Sequence, residues 1–135
     1  MARSRTPRIL IVDDDQNILE VISTGLEDAG YQVDAARNAS EAVVKSESNN
    51  FNLALVDIRL PDMEGTKLLT KMKETRPEMI TIILTGYPSL QNAIEAVNNG
   101  ADAYLLKPVR MKDLLNVVRG KLKKQEELYL YMIDE

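Results

Sequence analysis

The sequence predicts an α/β domain, one parallel sheet with helices on both of its faces. Three observations lead there. Five short runs read as strands, the first of them apolar, rich in β-branched residues and of the kind buried in a parallel sheet. Each is followed by a stretch with the apolar spacing or the capping signals of a helix. The strand–helix alternation repeats five times with short connections, the pattern of crossovers in a parallel sheet. At 135 residues the chain has the length of one ordinary domain.

The first run, residues 8–12, is stopped by Asp13, Asp14 and Asp15. Asp15 is placed to open the first helix, with Ile18, Leu19, Ile22 and Leu26 inward and Gly30 after its end. Residues 31–36 form the second strand. Asn38 followed by Glu41 has the spacing of a capping box for the second helix. That helix has a weak stripe, Ala42, Val43 and Val44, and residues 46–50 read as loop. Residues 51–56 are the third strand, stopped by Asp57. In the loop that follows, Asp62 and Glu64 read as solvated residues. The third helix carries Leu68, Leu69 and Met72 and ends before Pro77. Residues 79–84 are the fourth strand, stopped by Thr85. Ser89 caps the fourth helix, whose inward positions are expected to be Leu90, Ala93, Ile94 and Val97, with Gly100 beyond. Residues 103–106 are the fifth strand, stopped by Lys107 and Pro108, and the fifth helix starts near Met111.

Composition narrows the chemistry. Hydrophobic residues make up 44% and charged residues 28%, the balance of a soluble globular protein. The absence of cysteine excludes a disulfide framework and fits a reducing compartment. No apolar run approaches a membrane span, and the basic start of the chain lacks the apolar stretch of a secretion signal. A net charge of −4 argues against direct nucleic-acid binding. The histidine count of zero removes His-based acid–base catalysis, Ser-His-Asp and Cys-His systems, and the usual zinc sites.

Asp13–Asp15, Asp57, Thr85 and Lys107 each end a strand. The carboxyl ends of parallel strands share one edge, where such sheets bind ligands. Several carboxylates, a hydroxyl and an ammonium group should therefore converge. Crowded carboxylates repel unless a cation neutralises them. Oxygen-only ligands favour a hard divalent ion, Mg²⁺ before Zn²⁺. A carboxylate beside such an ion can attack phosphorus and form an acyl phosphate, with the metal, the lysine and the hydroxyl holding the equatorial oxygens.

Four segments then point to a family. Ile-Leu-Ile-Val-Asp-Asp-Asp at 9–15, Val-Asp-Ile-Arg-Leu-Pro-Asp-Met-Glu-Gly at 56–65, Ile-Ile-Leu-Thr-Gly at 82–86 and Gly-Ala-Asp-Ala-Tyr-Leu-Leu-Lys-Pro at 100–108 resemble the receiver domains of two-component response regulators. The resemblance covers roughly residues 7 to 120. It implies a flavodoxin-like, doubly wound, five-stranded parallel sheet in the order 2-1-3-4-5 with five helices. It implies Asp57 as phospho-acceptor, with Asp14 touching Mg²⁺, Asp13 acting partly through water, and the Arg59 backbone carbonyl completing the ligand set. Lys107 and Thr85 are implied to hold phosphoryl oxygens, the Lys107–Pro108 peptide to be cis, and Tyr104 to be the aromatic switch residue that moves with Thr85. The implied phosphoryl donor is a sensor histidine kinase. The implied readout is the face of helix four, strand five and helix five, through homodimerisation or an output partner. Arg59 and Tyr87, both bulky, flank the route of an attacking water, which implies slow self-dephosphorylation.

Two other functions fit less well. An aspartyl-phosphate enzyme of the phosphatase or mutase kind needs a second acid–base residue, and Asp57-Ile58-Arg59 lacks the aspartate two positions on. It also usually needs a cap domain, for which the chain is too short. An inert module of the same fold would be expected to have lost a key residue, and all are present. The expected organisation is a tail over 1–7, a receiver over 8–120 and a helical extension or linker over 121–135. Running from the fifth helix into that last segment, Leu115, Leu122 and Tyr129 are seven apart, as are Val118, Gln125 and Met132. The heptad is short and contains Gly120, so a frayed tail and a signalling helix that dimerises or leads to an output domain both remain open.

Overall fold

The computed structural model describes residues 6–133. The chain alternates β1 (Arg8–Val12), α1 (Gln16–Asp28), β2 (Gln32–Ala36), α2 (Ala39–Ser48), β3 (Leu53–Asp57), α3 (Gly65–Thr75), β4 (Ile80–Thr85), α4 (Leu90–Asn98), β5 (Ala103–Leu106) and α5 (Met111–Ile133). The strands form one sheet in the order β2-β1-β3-β4-β5, and every pair is parallel. Residues 1–5 of the expected tail and 134–135 of the expected extension lie outside the described residues.

The period-two geometry of a strand divides each central strand between two cores. Leu10 and Val12 of β1 join Ala54 and Val56 of β3 in one core, closed by Ala39 and Ala42 of α2, Leu68, Leu69 and Met72 of α3, and Ala96 of α4. Ile9 and Ile11 join Leu53 and Leu55 in the other, closed by Leu19, Ile22 and Leu26 of α1 and by Leu114, Val118 and Leu122 of α5. Strands buried on both faces must be apolar throughout, which is why β1, β3 and β4 read as unbroken runs. Full burial of one such Leu or Ile side chain contributes roughly 1.5–3 kcal/mol.

The helix ends follow the local chemistry. Asp15 accepts from the backbone N–H groups of Asn17 and Ile18, Asn38 from Glu41, and Ser89 from Asn92. Glu41 in turn accepts from the Arg37 N–H. Gly30 and Gly100 take positive φ beyond α1 and α4, at 103° and 95°.

Some expected boundaries and faces are corrected. α2 does not stop at residue 45 but runs to Ser48, because the hydroxyls of Ser46 and Ser48 donate back to the carbonyls of Val43 and Val44 and stay within the helix. β2 starts one residue later than expected. β3 and β4 start later and end later, so Asp57 and Thr85 are the last residues of their strands. The expected inward face of α4 is wrong: Leu90, Ile94 and Val97 are 78%, 50% and 68% exposed. Ala96 is the buried residue of α4 and Ala93 is half-buried, since small side chains let the helix approach the sheet. α5 continues without a break through Gly120 to Ile133, so the described part of the expected extension is helical. Among the described residues, no helix is long and apolar enough to cross a membrane.

Candidate functional site

The carboxyl edge of the sheet gathers residues from five segments. Asp13 follows β1 and is almost fully buried; its backbone N–H donates to the Ala36 carbonyl at 3.0 Å, holding the loop against the end of β2. Its Oδ1 accepts from the Asp15 N–H at 2.9 Å, and its Oδ2 takes the Lys107 Nζ at 2.7 Å. Asp57 ends β3 and is also buried, and its Oδ2 lies 3.4 Å from the same Nζ. Asp14 is exposed, yet it can bring a carboxylate oxygen within 4.8 Å of oxygens of both Asp13 and Asp57. The Lys107–Pro108 peptide is cis, and the Lys107 N–H donates to the Thr85 carbonyl at 2.7 Å.

Thr85 is fully buried, one residue past Leu84, the register partner of Asp57. Its Oγ1 accepts from the Tyr87 N–H at 2.9 Å. Tyr104 pairs in register with Ile83 and packs against the core that contains Val56 and Leu69. Its hydroxyl is buried and has no protein hydrogen-bond partner. Arg59 lies just past Asp57, with its N–H 3.4 Å from Asp57 Oδ1 and its guanidinium 4.1 Å from the centre of the Tyr87 ring. That stack joins the loops after β3 and β4.

The electrostatics are those of two anions sharing one cation. Burial raises the Asp57 pKa above its ordinary value, and the charge of Asp13 raises it further. Lys107 and the Arg59 N–H offset only part of this. Burial pulls Lys107 down, but its hydrogen bond to Asp13 and the charges of Asp13 and Asp57 outweigh burial and hold it above its ordinary value. One lysine thus leaves excess negative charge among three carboxylates. The donors are all hard oxygens, with no histidine or cysteine, which suits a divalent cation such as Mg²⁺.

Two contributors are missing from the reading of the sequence. Gly65 starts α3 hard against the end of β3, where a Cβ would collide with the Asp57 carbonyl and lie 2.8 Å from Ile58 Cα. The glycine could have been read as a close approach of backbone to backbone. Asp62, expected to be a solvated loop residue, instead reaches α2: Oδ1 accepts from the Ala39 N–H at 2.9 Å, and Oδ2 from the Ser40 N–H and hydroxyl at 3.0 Å each. No local pattern announces a carboxylate that caps a helix 22 residues earlier in the chain.

Known proteins share this arrangement of strands. The family model for the response regulator receiver domain matches residues 9–119. A CheY-like receiver domain protein from Methanospirillum hungatei JF-1 is 51% identical, with a TM-score of 0.89 over 91% of this chain and 98% of that one. A response regulator from Burkholderia pseudomallei, solved with a phosphorylated aspartic acid, a calcium ion and citrate, is 31% identical. Its TM-score is 0.80, covering 93% of this chain and 74% of that one. The photosynthetic apparatus regulatory protein RegA of Rhodobacter capsulatus is 34% identical over 115 residues, 84% of this chain and 61% of RegA. The chain therefore belongs to the receiver domain family of two-component response regulators. Such domains are signalling switches rather than enzymes in the usual sense. The chain spans between 23% and 61% of the lengths of the first curated relatives it matches.

Proposed function

We propose that this receiver accepts a phosphoryl group on Asp57 from a sensor histidine kinase in a Mg²⁺-dependent reaction. The observation that carries the proposal is the shared Lys107 ammonium, 2.7 Å from Asp13 and 3.4 Å from Asp57, with Asp14 in the same pocket. Asp14, Asp57 and the Arg59 carbonyl would hold the ion directly and Asp13 partly through water. The bound ion would neutralise the carboxylate cluster and the developing charge on phosphorus. An ionised Asp57 oxygen attacks phosphorus, the bond from phosphorus to the histidine nitrogen of the kinase breaks, and the histidine leaves with the bonding pair. The nucleophile is already an anion, so no general base is needed. Lys107 donates to one phosphoryl oxygen. Thr85 moves toward another and donates its hydroxyl, whose oxygen now accepts from the Tyr87 N–H and leaves the O–H proton free to give. Tyr104, on the neighbouring strand, is the side chain whose packing that movement alters. The relative with a phosphorylated aspartic acid supports the assignment of Asp57.

The same reading assigns self-phosphorylation by small acyl phosphates and slow self-dephosphorylation, because the Arg59–Tyr87 stack lies over the route of an attacking water. Output runs through the α4–β5–α5 face, where Leu90, Ile94, Val97 and Leu106 are exposed, or through the end of α5, where Leu128, Leu130, Tyr131, Met132 and Ile133 are exposed. Such surfaces suit a homodimer or an output partner. Residues 8–120 are the receiver unit, 121–135 its extension, and the setting is cytoplasmic.

Incubation with Mg²⁺ and a small acyl phosphate, followed by intact-mass measurement, tests the proposal. One phosphoryl adduct is expected on the wild type and none on Asp57→Asn. An equal adduct on both, or none on either, would sink it; rapid turnover of phosphate esters would favour an aspartyl-phosphate enzyme.

A further inference from the structure

We infer that Asp62 is a positioning residue for the metal-binding half of the site, fixing the loop whose Arg59 carbonyl completes the ligand set. The inference rests on the reading of Asp57, Asp14 and Arg59 given above. The loop over residues 58–64 is pinched at its base, where the Gly65 N–H donates to the Ile58 carbonyl at 2.8 Å and Arg59 bridges Glu64. Its tip reaches away from that pinch. Leu60 and Met63 rest half-buried on the core, and the hydrogen bonds of the tip to α2 all run through the Asp62 carboxylate. Two of the three donors are the first backbone N–H groups of α2, where an anion also meets the positive end of the helix dipole. Asn38 covers the Glu41 N–H, so the start of α2 is closed from two sides.

This tie closes a ring around the pocket. Asp13 is fastened to the Ala36 carbonyl at the end of β2, three residues before Ala39. Ala39 and Ser40 are fastened to Asp62, and the loop of Asp62 leads back through Arg59 to Asp57. The Asp62 link ties the Arg59 loop directly to the segment after β2, beside the connections through the sheet, the shared Lys107 and the packing of Leu60 and Met63. Mg²⁺ demands near-octahedral oxygens at about 2.0–2.1 Å, whereas Ca²⁺ tolerates a looser shell. Slack in one ligand should therefore weaken Mg²⁺ more than Ca²⁺. The Asp62 carboxyl, held below its ordinary pKa chiefly by the Ala39 N–H, stays an acceptor across the neutral range.

The test uses the full chain as wild type, Asp62→Ala and Asp62→Asn, each shown to be folded by circular dichroism. Mg²⁺ and Ca²⁺ affinities are measured by calorimetry, and the rate of adduct formation with a small acyl phosphate is followed against Mg²⁺ concentration. For Asp62→Ala the Mg²⁺ dissociation constant and half-saturation should rise about tenfold, the low end for residues that orient a ligand. Ca²⁺ affinity should fall less, and the rate at saturating Mg²⁺ should be kept. Asp62→Asn, which retains one acceptor oxygen, should lie between. Unchanged Mg²⁺ half-saturation in both variants overturns the inference alone. So does an equal loss for both ions, which is the signature of a missing charge, or a loss of maximal rate without a change in half-saturation. A wild type that forms no Mg²⁺-dependent adduct overturns the reading of the site as well.

Discussion

At the carboxyl edge of the sheet, Asp13 and Asp57 share Lys107, Asp14 adds a further charge, and Thr85 and Tyr87 hold each other only locally. At the amino edge the polar groups satisfy one another. Arg8 and Asn52 exchange two backbone-directed hydrogen bonds at 2.9 Å, and Gln125 of α5 donates to the carbonyls of Asn52 and Glu78 at 3.1 and 3.0 Å. The Arg8 guanidinium reaches Asn49 and Asp34 and lies over the Phe51 ring. One edge stores unbalanced charge that a cation and a phosphoryl group can resolve; the other fastens strands and helix in a single arrangement. A switch needs both, because a change at the first edge reaches a partner only if the elements between them move as bodies.

The comparison can be broken from either side. Lys107→Met should have the largest effect, a loss of about 2–3 kcal/mol in urea unfolding without divalent ions, since it strands buried carboxylates beside a largely covered lysine site. Part of that loss should return on adding Mg²⁺; no return would mean that the carboxylates do not form a cation site. At the other edge, Gln125→Ala should cost about 1–2 kcal/mol. It should speed amide exchange over residues 126–133 while leaving the rate of Asp57 phosphorylation unchanged. If exchange there stays as slow as in wild type, Gln125 is not what fastens the end of α5.

Asp57→Asn should stabilise the metal-free protein by about 1 kcal/mol at neutral pH, by removing one of the repelling charges. The pH dependence sharpens this. Asp57 has a raised pKa in the folded state, so the folded chain keeps a proton that the unfolded chain has released. Stability therefore falls as pH rises from the ordinary carboxylate value through the raised one. Lys107 is raised too, so its contribution is full below the ordinary lysine value and is lost as pH climbs past the folded one. Thermal melts across pH should show the acidic-side slope flattened in Asp57→Asn and the alkaline fall retained. The smallest effect belongs to Tyr104→Phe. Removing a buried hydroxyl without a protein partner should raise stability by up to about 1 kcal/mol. A loss instead would show that the hydroxyl is satisfied in solution.

The legible part of the molecule is the part written in local pattern. The strands announce themselves because the central ones are buried on both faces, and Asp15, Asn38 and Ser89 cap helices as their spacing predicts. The α4 helix was misread because its apolar stripe, Leu90, Ile94 and Val97, faces outward while Ala96 lies against the sheet. Periodicity finds a stripe but does not say which side of it meets the core. The roles of Asp62 and Gln125 were not legible at all, since their partners lie 22 to 73 residues away and no local spacing points to them.

The sequence by itself determined the parallel sheet, the set of strand-end residues and the exclusion of histidine chemistry, because each depends on residue type and short spacing. Tertiary structure alone decided that Lys107 stands between Asp13 and Asp57, that Asp62 closes the loop onto α2, and that α5 is fastened at Gln125 and continues as helix. Those are distances between elements remote in the chain, set by how two cores pack against one twisted sheet.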